Sequence, residues 1–184
     1  MSPSPQPTPL RGAGAIPDFD HPLEMLAACH DRIEDRCELL HRLAAHLAAQ
    51  GCDQQASQAA ASILRYFDTA GAHHHEDEER DLFPALIAKD AGASSALVAA
   101  LLADHAAMRE AWLQLRVSLL RIADGAGTLE PTEAARFTTL YRAHIAREEA
   151  ELLPLAQRVL DGDTIEALGA AMARRRGVAQ GTDS

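Results

Sequence analysis

One eleven-residue pattern occurs twice in this chain and decides its fold. The first copy is HHEDEERDLFP, residues 74–84, and the second is HIAREEAELLP, residues 144–154. Both copies read H-x-x-x-E-E-x-x-L-[FL]-P, so even the position of the proline is the same. An isolated histidine precedes each copy, His30 before the first and His105 before the second. The chain is therefore predicted to consist of two related helical hairpins.

Each copy of the repeat places a histidine and a glutamate on one helix face. His74 lies four residues before Glu78, and His144 lies four residues before Glu148. Residues at i and i+4 of an α-helix are one turn apart on the same side. One such pair means little, because amphipathic helices contain many by chance. Two pairs inside a duplicated pattern strongly indicate a shared site.

The run His73-His74-His75 leaves the frame of the first copy open, because His75 also has a glutamate, Glu79, four residues later. Alignment of the prolines of the two copies selects His74. We then expect His73 and His75 at the surface or beside the functional residues.

The rest of the chain also favours helices. From residue 22 onward it is rich in Ala, Leu, Arg and Glu, and no strand-like alternation occurs. We expect helices over 22–50, 54–88, 94–124, 131–160 and 163–176. The first four form an all-α, up-down four-helix bundle, and the last is a short C-terminal helix. Pro84 and Pro154 fall inside the second and fourth helices and predict kinks or shifted ends there.

Composition divides the chain into one domain with two flanking segments. Residues 1–20 hold five of the nine prolines and are predicted to be a disordered arm. Residues 21–177 form the bundle domain, and residues 178–184 form a disordered tail. The three cysteines, Cys29, Cys37 and Cys52, cannot all pair within one chain. They fit reduced thiols in a cytoplasmic protein.

The charge balance argues against nucleic acid and membrane partners. Lys and Arg number 17 against 27 Asp and Glu, which gives a formal net charge of −10. Such a protein has no general attraction to phosphate backbones or anionic lipids. No apolar run approaches the roughly 18 residues needed to span a bilayer, and no signal peptide is recognisable. The only basic cluster, Arg174-Arg175-Arg176, is expected to decorate the end of the last helix.

Distances from the predicted turns bring six residues to one level of the bundle. In antiparallel helices, residues equidistant from the turn lie at similar heights. His30 and His74 are each 22 residues from position 52 in the first turn, and Glu78 and His105 are each about 13 residues from the turn near 91–92. The third turn is less symmetric by about five residues, which the longer connection over 125–130 can absorb. The predicted site residues are His30, His74, Glu78, His105, His144 and Glu148.

Four imidazoles and two carboxylates in a helical core need partners, since an unpaired buried polar group costs several kcal/mol. A dinuclear metal centre satisfies all six, because each carboxylate can bridge two metals while two histidines hold each metal. Nitrogen and oxygen ligands without a thiolate favour iron or manganese, and zinc is also compatible by affinity order.

The H…HxxxE…H…HxxxE arrangement with its E-E-x-x-L-F-P tail resembles the hemerythrin-like (HHE cation-binding) family. The resemblance covers residues 22–160, which is nearly the whole predicted bundle. It implies an up-down four-helix bundle around two non-haem iron ions, with Glu78 and Glu148 as the bridging carboxylates.

The same matching assigns His30 and His74 to one iron, and His105 and His144 to the other. Oxygen-carrying hemerythrins have a further histidine four residues after the one that matches His105, and this chain has Arg109 there. The chain is thus more similar to the bacterial four-His, two-Glu branch, which includes iron-centre repair proteins and proteins that handle peroxide or nitric oxide. The repair proteins usually carry a cysteine-containing N-terminal domain, whereas this chain has only a proline-rich arm.

We expect a protein that binds or senses a small oxidant, O2, NO or H2O2, at the carboxylate-bridged di-iron centre. Two alternatives stay open: a peroxide-decomposing, catalase-like enzyme, and an iron donor or repair factor for damaged iron centres. Ligand binding comes first because nothing in the sequence nominates a proton donor for catalysis.

The other histidines and the aromatic residues are expected to be structural. The histidines predicted at the surface are His21, His41 and His46. The residues expected to line the core beside the site are Tyr141, Trp112, Met25, Met108 and Phe67. Cys29 neighbours His30, but adjacent helical residues diverge by about 100°, which predicts packing rather than ligation.

Overall fold

The computed structural model of the chain describes residues 18–178, which form five helices. The helices are α1 Pro22–Gln50, α2 over 54–89, α3 Ala91–Ala123, α4 over 131–159 and α5 Gly162–Arg175. No strand occurs within residues 18–178, so the all-α prediction is confirmed. Except for residues 18–20 and 178, the predicted arm and tail lie outside the described residues.

The helix ends follow from local capping. Gly51 ends α1 as expected, with a φ of 78° that a residue with a side chain rarely adopts. α3 begins at Ala91 rather than near residue 94, because the Asp90 side chain accepts a hydrogen bond from the backbone N–H of Ala93. Asp90 alone therefore connects α2 to α3.

The first four helices form a closed ring. α1 packs against α2, α2 against α3, α3 against α4, and α4 back against α1. α5 lies outside this ring and contacts α1 and α2. The architecture is the predicted four-helix bundle with a short C-terminal helix.

α2 and α4 each widen into a π turn at the E-E-x-x-L part of the repeat. These turns span Glu78–Leu82 and Glu148–Leu152. After each turn a backbone N–H bonds to a carbonyl five residues earlier, from Phe83 and from Leu153 respectively. The proline that follows has no N–H, and its ring would collide with a carbonyl in a regular α-helix. The expected kinks therefore take the form of two matched π turns, and neither helix ends there.

The hydrophobic core consists of two clusters, and the predicted site lies between them. On every bundle helix, a site histidine is flanked by a buried residue from each cluster. One cluster contributes Ile33, Phe67, Met108 and Tyr141, and the other contributes Leu26, Leu82, Leu101 and Leu152. Apolar packing thus lies on both sides of the polar site, which keeps its environment at low dielectric.

α5 is tied to α2 by a buried ion-pair cluster. Asp77 is fully buried and accepts hydrogen bonds from Arg175 and, at 2.6 Å, from Arg176. Arg175 also donates to Asp81 at 2.5 Å. The arginine run lies at the end of the last helix as expected, but the side chains of Arg175 and Arg176 are only 13% and 18% exposed because they pair with Asp77. Their partner lies 98 residues away from Arg175 in the chain, so helix-end reasoning could not find it.

α3 is the one helix in the described part of the chain that is long and apolar enough to cross a membrane by length and composition. Its most apolar 18-residue window has a mean hydropathy of 1.3. The expectation that no apolar run approaches 18 residues is therefore wrong for α3, if a stretch of 18 residues may contain up to two charged side chains. One such helix is weak support for a membrane span, since a helix of a water-soluble bundle passes the same test, and α3 packs against both α2 and α4.

Removal of the two arginines should leave the Asp77 carboxylate buried and unpaired. We expect the Arg175→Ala/Arg176→Ala variant to lose about 3 kcal/mol of unfolding free energy, measured by urea denaturation. Addition of Asp77→Asn should restore part of that loss, because the amide carries no charge. Lys89→Ala removes only an exposed ion pair with Asp161 and is the control, with little expected change. Equal stability of the double and triple variants would contradict this account.

Candidate metal centre

The structure brings all six predicted site residues together. They come from all four helices of the bundle, and each is at most 2% exposed: His30, His74, Glu78, His105, His144 and Glu148. In both copies of the repeat, the glutamate is the first residue of the π turn and its histidine lies one helical turn earlier. The repeat therefore positions the two His-Glu pairs by the same local geometry.

The six residues form two overlapping groups of possible metal ligands. The groups are His30-His74-Glu78-Glu148 and Glu78-His105-His144-Glu148. Within each group, the candidate ligand atoms all lie within 4.8 Å of one another. Both carboxylates belong to both groups, as two cations bridged by two carboxylates would require.

Each carboxylate presents one oxygen to each half of the site. Glu148 places Oε2 3.1 Å from Nε2 of His30, and Oε1 3.1 Å from Nε2 of His144. Glu78 does the same at longer range, with oxygens 3.5 and 3.4 Å from the Nε2 atoms of the other two histidines, His74 and His105. Each glutamate is thus placed between one histidine of each half, where it could contact a cation in either half.

Several of these facing atoms have no hydrogen-bond partner. They are His30 Nε2, His74 Nε2, Glu78 Oε2 and both side-chain oxygens of Glu148. Buried polar atoms left unpaired cost about 1–3 kcal/mol each. Atoms that approach one another closely without hydrogen-bonding geometry are expected where they face a common cation. The residues present therefore fit a bound metal.

Burial and nearby charge set the protonation of the site. Burial, with the neighbouring His30, lowers the pKa of His74 to about 3, which leaves a nitrogen lone pair available to a metal. Burial and the charge of Glu148 raise the pKa of Glu78 well above its usual value. Burial would also raise the pKa of Glu148, but the close imidazoles of His144 and His30 hold that pKa well below its usual value. A cation that binds here would favour the deprotonated form of Glu78.

The second glutamate of each repeat contacts the far nitrogen of a site histidine on another helix. Glu79 Oε1 lies 2.7 Å from Nδ1 of His105, and Glu149 Oε1 lies 3.4 Å from Nδ1 of His30. A carboxylate in this position fixes the orientation and tautomer of the imidazole ring. It also makes Nε2, the nitrogen that faces the site, more basic and thus a stronger metal ligand. The sequence did not predict this contact, although the occurrence of a second glutamate in both copies of the repeat was an available signal.

Arg109 does not reach the place of the histidine that this chain lacks. Its side chain is 53% exposed and donates to Glu79 at 2.6 Å. His75 lies against this half of the site instead, 9% exposed, with its ring stacked on His105 at a centroid distance of 4.1 Å. With His105 and His144 it forms a third group whose ligand atoms lie within 4.8 Å. His75 is therefore a buried neighbour of the site rather than a surface residue.

A cavity of about 340 Å³ opens beside His75. Its apolar wall is formed by Phe67, Gly71, Met108, Trp112 and Tyr141, and charged residues including Glu79, Arg80 and Arg109 also line it. Phe67 and Gly71 begin and end a third π turn, which the sequence did not predict. The expected placement of the aromatic residues and Met108 near the site agrees with this lining, whereas Met25 packs in the other cluster.

The remaining histidines and the cysteines take no part in the ligand groups. His21 is exposed as expected. His41 and His46 are half-buried, hydrogen-bonded to Thr138 at 3.0 Å and to Asp53 at 2.9 Å, so the surface expectation is only partly right for them. All three cysteines are free thiols, and burial raises the pKa of Cys37 to about 12.

This is a helical-bundle protein with a buried cluster of histidine and glutamate side chains that could hold a metal ion. The chain belongs to the hemerythrin family, because the sequence model of the hemerythrin HHE cation binding domain matches residues 21–156. It is also similar to an uncharacterized protein of Haemophilus influenzae, with 33% identity over 161 residues, 87% of this chain and 92% of the relative.

The contact between Glu79 and His105 predicts a measurable effect on metal affinity. Glu79→Gln should weaken metal binding about 10- to 100-fold, because the amide orients the ring less firmly and makes its near nitrogen a weaker donor. The effect of Glu149→Gln should be smaller, since its contact with His30 is longer. Competition with a chelator measures both, and Glu110→Gln, 67% exposed on the same helix as His105, is the control. Wild-type affinity in both variants would show that these contacts do not tune the site.

Proposed function

We propose that this protein holds two iron ions at the two overlapping groups and binds a small oxidant there, either to carry it or to sense it. One observation supports the proposal above all: Glu78 and Glu148 are each shared between the two groups, with one oxygen toward each pair of histidines. A mononuclear site would need neither this sharing nor six buried ligands.

The donor set favours iron over softer metals. It consists of imidazole nitrogens and carboxylate oxygens, and neither group contains a cysteine although Cys29 is adjacent to His30 in the chain. Such sets suit iron or manganese, with zinc as the competitor by affinity order. When bound, a carboxylate-bridged iron pair supplies redox capacity and open positions for O2, NO or H2O2.

The residues of the chain hold this pair and restrict access to it. Glu79 and Glu149 orient His105 and His30 from outside, and Phe83 stacks over the His105 ring at a centroid distance of 5.7 Å. The cavity beside His75 has an apolar wall and a charged rim, and at about 340 Å³ it has room for a molecule of a few atoms. These features suit reversible binding of a small molecule in a water-poor site.

Iron donation is a second candidate, and a different surface favours it. A groove of about 350 Å³ lies against His30 and is lined by three acidic residues, Asp31, Glu34 and Glu149, and by Arg142, which pairs with Glu34 at 2.5 Å. The carboxylates outnumber this one arginine, so the groove would still attract a cation on its way into or out of the site. Rapid transfer of iron from the loaded protein to a chelator, blocked by Glu34→Gln, would favour donation over ligand binding.

Metal analysis of protein purified without added metal tests the proposal. We expect two irons per chain and near-ultraviolet absorption from a bridged ferric pair, because the six ligands satisfy two cations together. His74→Ala and Glu148→Ala should lose both, while His21→Ala, an exposed histidine, should retain them. Less than about one iron per chain in the wild type, with the same iron content and absorption in His74→Ala and Glu148→Ala, would contradict the proposal.

The same preparation distinguishes binding from turnover. Reversible spectral changes with O2 or NO, without consumption, are expected for a carrier or sensor. Sustained oxygen evolution from peroxide that disappears in His144→Ala would instead identify a peroxide-decomposing enzyme.

A further inference from the structure

We propose that His75 is the hydrogen-bond partner of the small ligand at the His105–His144 half of the centre, and that the ligand reaches it through the cavity lined by Phe67, Gly71, Met108, Trp112 and Tyr141. This inference rests on the proposed function and names a residue that the ligand set does not contain.

The orientation of the His75 ring argues against a seventh metal ligand. An imidazole binds a metal in the plane of its own ring. The rings of His75 and His105 are stacked, with 18° between their planes and centroids 4.1 Å apart. A metal held in the plane of the His105 ring would therefore be poorly placed for His75 to hold as well. A molecule of two or three atoms beside that metal would lie between the metal and the edge of His75.

The Nε2 atom of His75 is available for such a contact. It is buried and has no hydrogen-bond partner among the described residues. The ring cannot turn freely, because His105 stacks against it and the Tyr141 ring lies nearly parallel to it at a centroid distance of 5.8 Å. A buried, oriented and unpaired nitrogen is costly unless a partner arrives, and a bound ligand would supply one.

The cavity places His75 on the path from solvent. His75 is among the residues that line it, whereas the six proposed ligands are not among them. A molecule that crosses the cavity thus meets His75 before it reaches the metal-binding nitrogens. The Arg109–Glu79 ion pair lies at the rim of the cavity, and Glu79 of this pair contacts Nδ1 of His105.

The two repeats differ at the residue that follows the site histidine, and this difference makes the two halves of the centre unequal. Ile145 follows His144 in the second copy, where His75 follows His74 in the first. Ile145 lines the groove beside His30, so that side offers an alkyl group where the other side offers an imidazole. The duplicated ligand set is nearly symmetric, and this single difference favours ligand binding at the His105–His144 half.

Azide binding to the iron-loaded ferric protein tests the role of His75. In His75→Leu we expect two irons per chain, as in the wild type, and an azide dissociation constant raised about tenfold by loss of the hydrogen bond. His75→Gln should recover part of the affinity, and the neighbouring His73→Ala should match the wild type. Unchanged azide affinity in His75→Leu would overturn the proposal, and so would loss of one iron, because His75 would then be a metal ligand. A wild-type protein without iron, or one that binds no azide, would instead defeat the proposed function itself.

A matched pair of tryptophan substitutions tests the route. Ala72 lines the cavity and Ala146 lines the groove beside His30, and both are exposed. Ala72→Trp should slow azide association and dissociation by similar factors, about tenfold or more, because a narrowed path changes rates rather than equilibrium. Ala146→Trp should leave both rates unchanged. Wild-type rates in Ala72→Trp, or slow association in Ala146→Trp alone, would exclude this route.

Discussion

Two glutamate side chains buried side by side are the constraint on which the rest of this structure depends. Glu78 and Glu148 have almost no exposure, and their oxygens point at imidazole nitrogens with which most form no hydrogen bond. A low-dielectric interior does not accept two adjacent carboxylates without positive charge to balance them. Bound cations would supply that charge, and the stability of the bundle centre would then depend on its occupation by metal.

The duplicated pattern places the two buried glutamates by the same backbone geometry in both copies. In both copies the first glutamate begins a π turn, the second contacts the far nitrogen of a histidine on another helix, and a proline follows the turn. A π turn shifts every later side chain around the helix axis, and such turns are frequent at functional sites. The repeat is therefore a unit of ligand placement as well as a signature in the sequence.

Departures from the repeat give the two halves of the centre different surroundings. His75 and Arg109 occur only on the side of His105, where the apolar cavity opens. Ile145 and a groove lined by Asp31, Glu34, Glu149 and Arg142 occur on the side of His30. The two halves of the cluster are therefore nearly symmetric in their histidines and glutamates but differ in what surrounds them.

The helices and the convergence of the six candidate residues could be predicted from the sequence, because both depend on periodicity and spacing along one chain. Alignment of Pro84 with Pro154 identifies His74, rather than His75, as the repeat histidine. The rise per residue then places His74 at the same level of the bundle as His30. Only the tertiary structure decided which side chains meet across helices. Three features depend on how the helices are rotated and how far apart they lie: the stacking of His75 on His105, the pairing of Asp77 with Arg175, and the cavity beside Tyr141. A shift of a few ångströms between helices would abolish these contacts, and no local sequence pattern specifies such distances.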